Sequence, residues 1–138
     1  MYQKDYILRM IEMLGELVAA ILKLIRNGEF QKAEQGISEI YETLLKKDAS
    51  FFQNIPIDKL TTTLLEDHNY THGHLEILAE LFYAEAELKA ATKNNESSLI
   101  LYKKSLVLFE FTDKAGNTYS EERLKKIEII KSKISENY

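Results

Sequence analysis

The sequence predicts an all-α domain of five to six antiparallel helices, and three observations carry that prediction. Residues that punctuate strands and tight turns are scarce, with 1 Pro and 5 Gly in 138 residues, too few for the frequent turns of a β-sandwich. Apolar side chains recur at about 100° per residue over most of the chain rather than alternating. The chain has no Cys and 45% hydrophobic residues, so folding rests on packing, and there is enough apolar material for one core. A single domain over 1–138 follows, with a first hairpin at about 3–47, a joint at 48–56 and a second half at 57–138.

The first helix is predicted from about Gln3 to Asn27. Its polar residues, Arg9, Glu12, Glu16, Lys23 and Asn27, fall in one narrow stripe. Ile7, Leu8, Ile11, Leu14, Leu17, Val18, Ile21, Leu22, Leu24 and Ile25 fill most of the remaining circumference, so this helix needs cover on more than one side. Gly28 suits the left-handed residue that closes a helix. The second helix, about Glu29 to Lys47, has a single apolar stripe of Phe30, Ala33, Ile37, Ile40, Tyr41 and Leu44. The short link makes the two an antiparallel hairpin.

Periodicity lapses from Asp48 to Pro56, and the lone proline stands where a third helix, about Ile57 to Glu66, begins. Phe51 and Phe52 are too apolar for a free linker and are expected to be tacked onto the core. A fourth helix, about His72 to Lys93 with Thr71 as its cap, buries Leu75, Leu78, Ala79, Leu81, Phe82 and Ala86. Glu85 and Lys89 project into its apolar half. The fifth, about Glu96 to Thr112 after a turn at Asn94-Asn95, is apolar nearly all round and reads as the central helix. Gly116-Asn117 is a stop signal and Ser120 a cap for the last helix, whose stripe is Leu124, Ile127, Ile130 and Ile134.

Gly28-Glu29-Phe30, Ala33 and Ile37 resemble the turn and second helix of a tetratricopeptide (TPR) repeat, with Leu17, Ala20, Ile21 and Leu24 at the matching first-helix positions. Ser98, Tyr102, Ser105 and Leu106 stand at the corresponding second-helix positions of a second hairpin, whose first helix fits only if it is about a turn longer. The resemblance covers about half the chain and implies TPR-like helical hairpins. The opening Asp5-Tyr6-Ile7-Leu8-Arg9-Met10-Ile11-Glu12, Gly15 and the Asn-Gly-Glu-Phe link also look like the start of an uncharacterised family of small bacterial TPR-like proteins. That resemblance implies a bacterial, cytoplasmic protein and carries over no catalytic residue.

Composition and motifs narrow the function classes. A net charge of −4 argues against a surface that neutralises phosphates, so no nucleic acid is expected. Arg9, Glu12, Glu16 and Lys23 interrupt the longest apolar stretch, so no membrane span is expected either. The start has no secretory pattern, which makes the cytoplasm the expected location. There is no thiol nucleophile, no Gly-x-Ser-x-Gly elbow and no glycine-rich phosphate loop, so neither an enzyme nor a cofactor is predicted.

Two segments remain as candidates. All three histidines, His68, His72 and His74, lie in seven residues beside Asp67 and Glu76, where a metal- or ligand-binding protein would use them. His68 and His72 share a helical face only if a helix runs through Asn69 and Thr71, and His74 would then point away. The plainer reading is a polar helix start. Between Glu66 and Glu96 seven acids face two lysines. Glu76, Glu80, Tyr83 and Glu87 make one stripe of the fourth helix, and a basic protein or peptide partner could be steered to it. The main expectation is therefore a non-enzymatic protein-interaction or scaffold module. Any apolar strip left bare on the first helix would serve as its partner or homodimer interface.

Overall fold

The computed structural model describes residues 2–115 and 120–136, and every element among them is helical. The α-helices are α1 (Tyr2–Arg26), α2 (Phe30–Ile40), α3 (Ala49–Gln53), α4 (Leu60–Thr62), α5 (His72–Ala91), α6 (Asn95–Ala115) and α7 (Glu121–Glu136). π-helical turns extend α2 over Tyr41–Leu45 and α4 over Thr63–Asp67, and a 3-10 turn at Ile57–Lys59 leads into α4. Seven α-helices, rather than five to six, arise because the joint at 48–56 is itself partly helical. The Asp48 side chain accepts from the Phe51 backbone N–H at 3.1 Å and so caps α3,.

Local signals account for most of the ends. Gly28 has φ of +78°, and its N–H and that of Glu29 donate to the carbonyls of Ile25 and Leu24, closing α1,. Thr71 caps α5 and Ser120 caps α7, its Oγ accepting from Arg123 N–H at 3.2 Å. The α5–α6 turn lies at Thr92–Asn94, its left-handed residue is Lys93, at φ +64°, and Asn95 already begins α6. Gly116-Asn117 and the side chains of Ile7 and Leu8 lie outside the described residues.

The central helix is α5, which corrects the expectation that the next helix holds that place. α5 packs against α1, α2 and α6. It buries Leu75, Ile77, Leu78, Ala79, Leu81, Phe82, Tyr83, Ala84, Glu85, Ala86 and Leu88, which cover its circumference except for the half-buried arc of Glu76, Glu80 and Glu87. Three of these are alanines, which let neighbours approach. α6 is apolar all round in sequence, yet leaves Ile100 51% exposed.

Two serines on α6 fix the contact with α5. Ser98 Oγ donates to the Ala86 carbonyl and Ser105 Oγ to the Ala79 carbonyl, both at 2.8 Å. The donors are seven residues apart in ascending order and the acceptors seven apart in descending order, so α5 and α6 run antiparallel. α7 runs parallel to α5, because Arg123 pairs with Glu76 and Lys126 with Glu80.

α1 receives less cover than its sequence demands. Met10, Leu14, Val18, Ile21 and Ile25 are buried against α5 and α2, while Met13 is 59% and Leu17 38% exposed. At Gly36 on α2 a Cβ would stand 3.4 Å from Cγ1 of Ile21, in ordinary contact, so this position lies at the α1–α2 crossing. Gly15 has no such reason, since a Cβ there meets nothing within 4 Å. Of these two glycines inside helices, only Gly36 faces a neighbouring helix. Gly15→Ala should therefore stabilise the fold by ~0.5–1 kcal/mol through helix propensity. Urea unfolding measures it, and a destabilised variant would show that α1 is packed on that face.

Candidate functional site

The most unusual chemistry lies inside the bundle, around a carboxylate on α5. Glu85 is 8% exposed; one oxygen accepts from the Tyr41 hydroxyl and the other from Gln53 Nε2 at 2.6 Å. The π-helical turn at Tyr41–Leu45 and the short helix α3 bring these donors to it. Burial raises the Glu85 carboxyl above the ordinary carboxylate range, against the pull of Tyr41, Gln53 and Lys89; Glu34 across on α2 adds to the rise,. Burial likewise pushes the Tyr41 hydroxyl well up, with Glu85 reinforcing it.

A buried cation completes the cluster. Lys104 on α6 is 7% exposed, and its ammonium donates to the carbonyls of Gln53 at 2.5 Å and Ile55 at 2.8 Å. These are carbonyls at and beyond the C-terminal end of α3, where a cation is electrostatically favoured. Burial lowers the Lys104 ammonium from its ordinary value. Gln53 thus joins the two charges, its amide donating to the anion and its carbonyl accepting from the cation. Chemically the cluster can hold a proton and fix three helices. Depressions along Glu121–Ile129 and Gly28–Lys32 border neither it nor the histidines.

The histidines do not converge. His68 meets the edge of Phe51 at 5.0 Å between ring centroids, and His72 stacks on Phe111 of α6 at 5.5 Å. His74 forms a capping box with Thr71: Thr71 N–H donates to its Nδ1 at 3.0 Å, and its own N–H donates to Thr71 Oγ1 at 3.3 Å,. That arrangement needs a neutral ring with Nδ1 unprotonated. Burial lowers the His74 pKa accordingly. Among the described residues no three His, Asp or Glu side chains are grouped to hold a metal ion.

The acidic stripe expected to face a partner is met by the chain's own last helix. Lys126 Nζ stands 2.5 Å from Glu80 and 5.6 Å from the Tyr83 ring centroid, and Arg123 pairs with Glu76 at 3.6 Å and with Asp113 of α6 at 2.9 Å. Glu87 accepts from the Tyr102 hydroxyl at 2.9 Å. Tyr83 is buried, and burial outweighs Lys126 in raising the Glu80 carboxyl. Exposure inferred from one helical wheel fails here because a basic helix later in the chain folds back onto it.

Tyr41, Gln53 and Lys104 were not singled out as site residues, although Glu85 in an apolar half was a signal that some donor had to meet it. Compared with protein-family models, curated proteins and solved structures, the chain matches none.

Two outcomes test these networks. Glu85→Ala strands the Tyr41 and Gln53 donors and should cost roughly 2–4 kcal/mol, whereas Glu85→Gln keeps the shape. A raised carboxyl favours the folded state most at low pH and loses that contribution as pH climbs through the ordinary value and then the folded one. The stability of wild type relative to Glu85→Gln should therefore fall as pH rises above the ordinary carboxylate value of about 4.3; a flat difference would contradict the raised carboxyl. His74 behaves with the opposite slope. Its pKa is depressed, so its contribution is complete above the ordinary histidine value of ~6.5 and is lost as pH falls below it. His74→Gln preserves a capping-box acceptor and should remove that acid-side loss in chemical denaturation.

Proposed function

We propose that this protein is a non-enzymatic protein-interaction module of TPR-like helical hairpins, with the bare flank of α1 as its partner face. The carrying observation is the exposure of Met13 and Leu17. They lie four residues apart on the flank of α1 beside its core-facing stripe, with Ala20 also exposed and Leu24 half-buried along the same line. Apolar side chains aligned in this way on a rigid helix suit contact with another protein.

The repeat-like reading draws support from small residues at helix crossings. Ala33 is fully buried, Gly36 admits Ile21, and Ser98 and Ser105 bond to α5 carbonyls. No helix among the described residues is long and apolar enough to cross a membrane. We read the partner face as a contact with protein; the bacterial cytoplasm as its setting rests on the resemblance of the opening segment alone.

Met13→Asp combined with Leu17→Asp should leave the fold intact, since both side chains face water. Affinity capture with the tagged full-length protein should then lose the proteins recovered by wild type, and light scattering reports whether one of them is a second copy. Identical recovery by the two forms, with both proved folded by circular dichroism, would sink the reading.

A further inference from the structure

The bare flank of α1 carries a pattern that selects its own partner. Met13, Leu17, Ala20 and Leu24 follow one another at steps of four, three and four residues, the spacing by which one helix presents a seam to another. At about 100° per residue they fall on one narrow line. Met13 is 59% and Leu17 38% exposed, Ala20 is exposed and Leu24 half-buried. On the inner side of the line lie Leu14 and Ile21, buried in the chain's own core. On its outer side, turned away from the core, stand Arg9, Glu16 and Lys23, all exposed and spaced seven residues apart. Among the described residues neither Glu16 nor Lys23 forms an ion pair.

An antiparallel second copy fits this line in one register. Met13 set opposite Leu24 and Leu17 opposite Ala20 map the line onto itself, since both pairs are centred between Val18 and Ala19. The small Ala20 then receives Leu17 of the other copy, and Met13 and Leu24 close the two ends. Charges flanking such a seam pair across it and fix orientation, so Glu16 of each copy meets Lys23 of the other, once on each side of the two-fold axis. Sliding by one heptad destroys the match. In one direction Glu16 faces Glu16 and Arg9 faces Lys23; in the other Lys23 faces Lys23. A parallel pair sets Glu16 against Ile21 of the other copy, which is buried in its own core.

We propose that this flank of α1 pairs with the same flank of a second copy of the chain, antiparallel about a two-fold axis between Val18 and Ala19. The seam is only about three turns long, short against the ~800 Å² per partner of a standard interface. The dimer is therefore weak and concentration-dependent, with a Kd on the order of 100 µM. The proposal rests on the reading of α1 as a partner face and names the partner.

Sedimentation equilibrium of the purified full chain, from about 10 µM to 1 mM, should show a monomer passing into a dimer. Glu16→Lys puts like charges together on both sides of the axis and should weaken the dimer at least about fivefold. Combining it with Lys23→Glu should restore the dimer to within about twofold of wild type. Crosslinking checks the register with the charges intact, because the chain has no cysteine of its own. Leu17→Cys and Ala20→Cys chains, mixed under a mild oxidant, should form a mixed disulfide several times faster than either chain joins to itself. A chain monomeric at the highest concentration, a dimer indifferent to Glu16→Lys, a double variant that stays weak, or Leu17→Cys chains that join chiefly to each other would each overturn the proposal. A monomer whose Met13→Asp, Leu17→Asp form still loses its captured proteins would keep α1 as a face for a different protein and overturn only the second copy.

Discussion

Everything in this bundle depends on α5 being enclosed by its neighbours over most of its circumference while carrying side chains that do not belong in an apolar core. Alanines at 79, 84 and 86 let its neighbours close in. Glu80, Tyr83 and Glu85 then lose water, and a buried polar group is tolerated only when it is bonded. Each neighbouring element supplies what is needed: the turn after α2 brings Tyr41, α3 brings Gln53, and α7 brings Lys126. Among the described residues no buried side-chain nitrogen or oxygen is left without a partner.

These polar contacts also fix register, which apolar packing alone does weakly. Ser98 and Ser105 lock α6 against α5 at two points, and sliding by one residue breaks both bonds together. Lys104 ties α6 to the end of α3, so the segment between α2 and α5 is held although its helices are only a turn or so long. Rings continue the attachment outwards. Tyr41 stacks on Phe52 at 5.7 Å, Phe52 meets Tyr70 at 6.0 Å, and the Tyr70 hydroxyl donates to the Leu45 carbonyl.

The two surfaces that remain are of different kinds. On α1 the flank at Met13 and Leu17 is apolar and faces solvent. Between α5 and α6 the acidic stripe is covered by α7, which meets it through Arg123 and Lys126. Hydrophobic contact suits the first, whereas the second is closed by charge complementarity within the chain.

Local signals were sufficient for the helices and their ends. Gly28, Thr71 and Ser120 act within a few residues of themselves, and their effect does not depend on the rest of the chain. The same holds for the stripe of α2 and for Phe52, too apolar to stay in water. Which helix lies at the centre was not local. α6 has the more apolar sequence, but α5 carries alanines and acids whose partners come from α2, α3 and α7, and no helical wheel contains those partners. Likewise the stripe Glu76, Glu80, Tyr83 and Glu87 looks like a surface until α7 returns to it. The sequence by itself determined an all-helical chain with most of its boundaries, because hydrogen bonding within a helix and capping are short-range. Only the tertiary structure decided which polar residues are buried and which apolar ones are bare, because burial is a property of the neighbours and not of the residue.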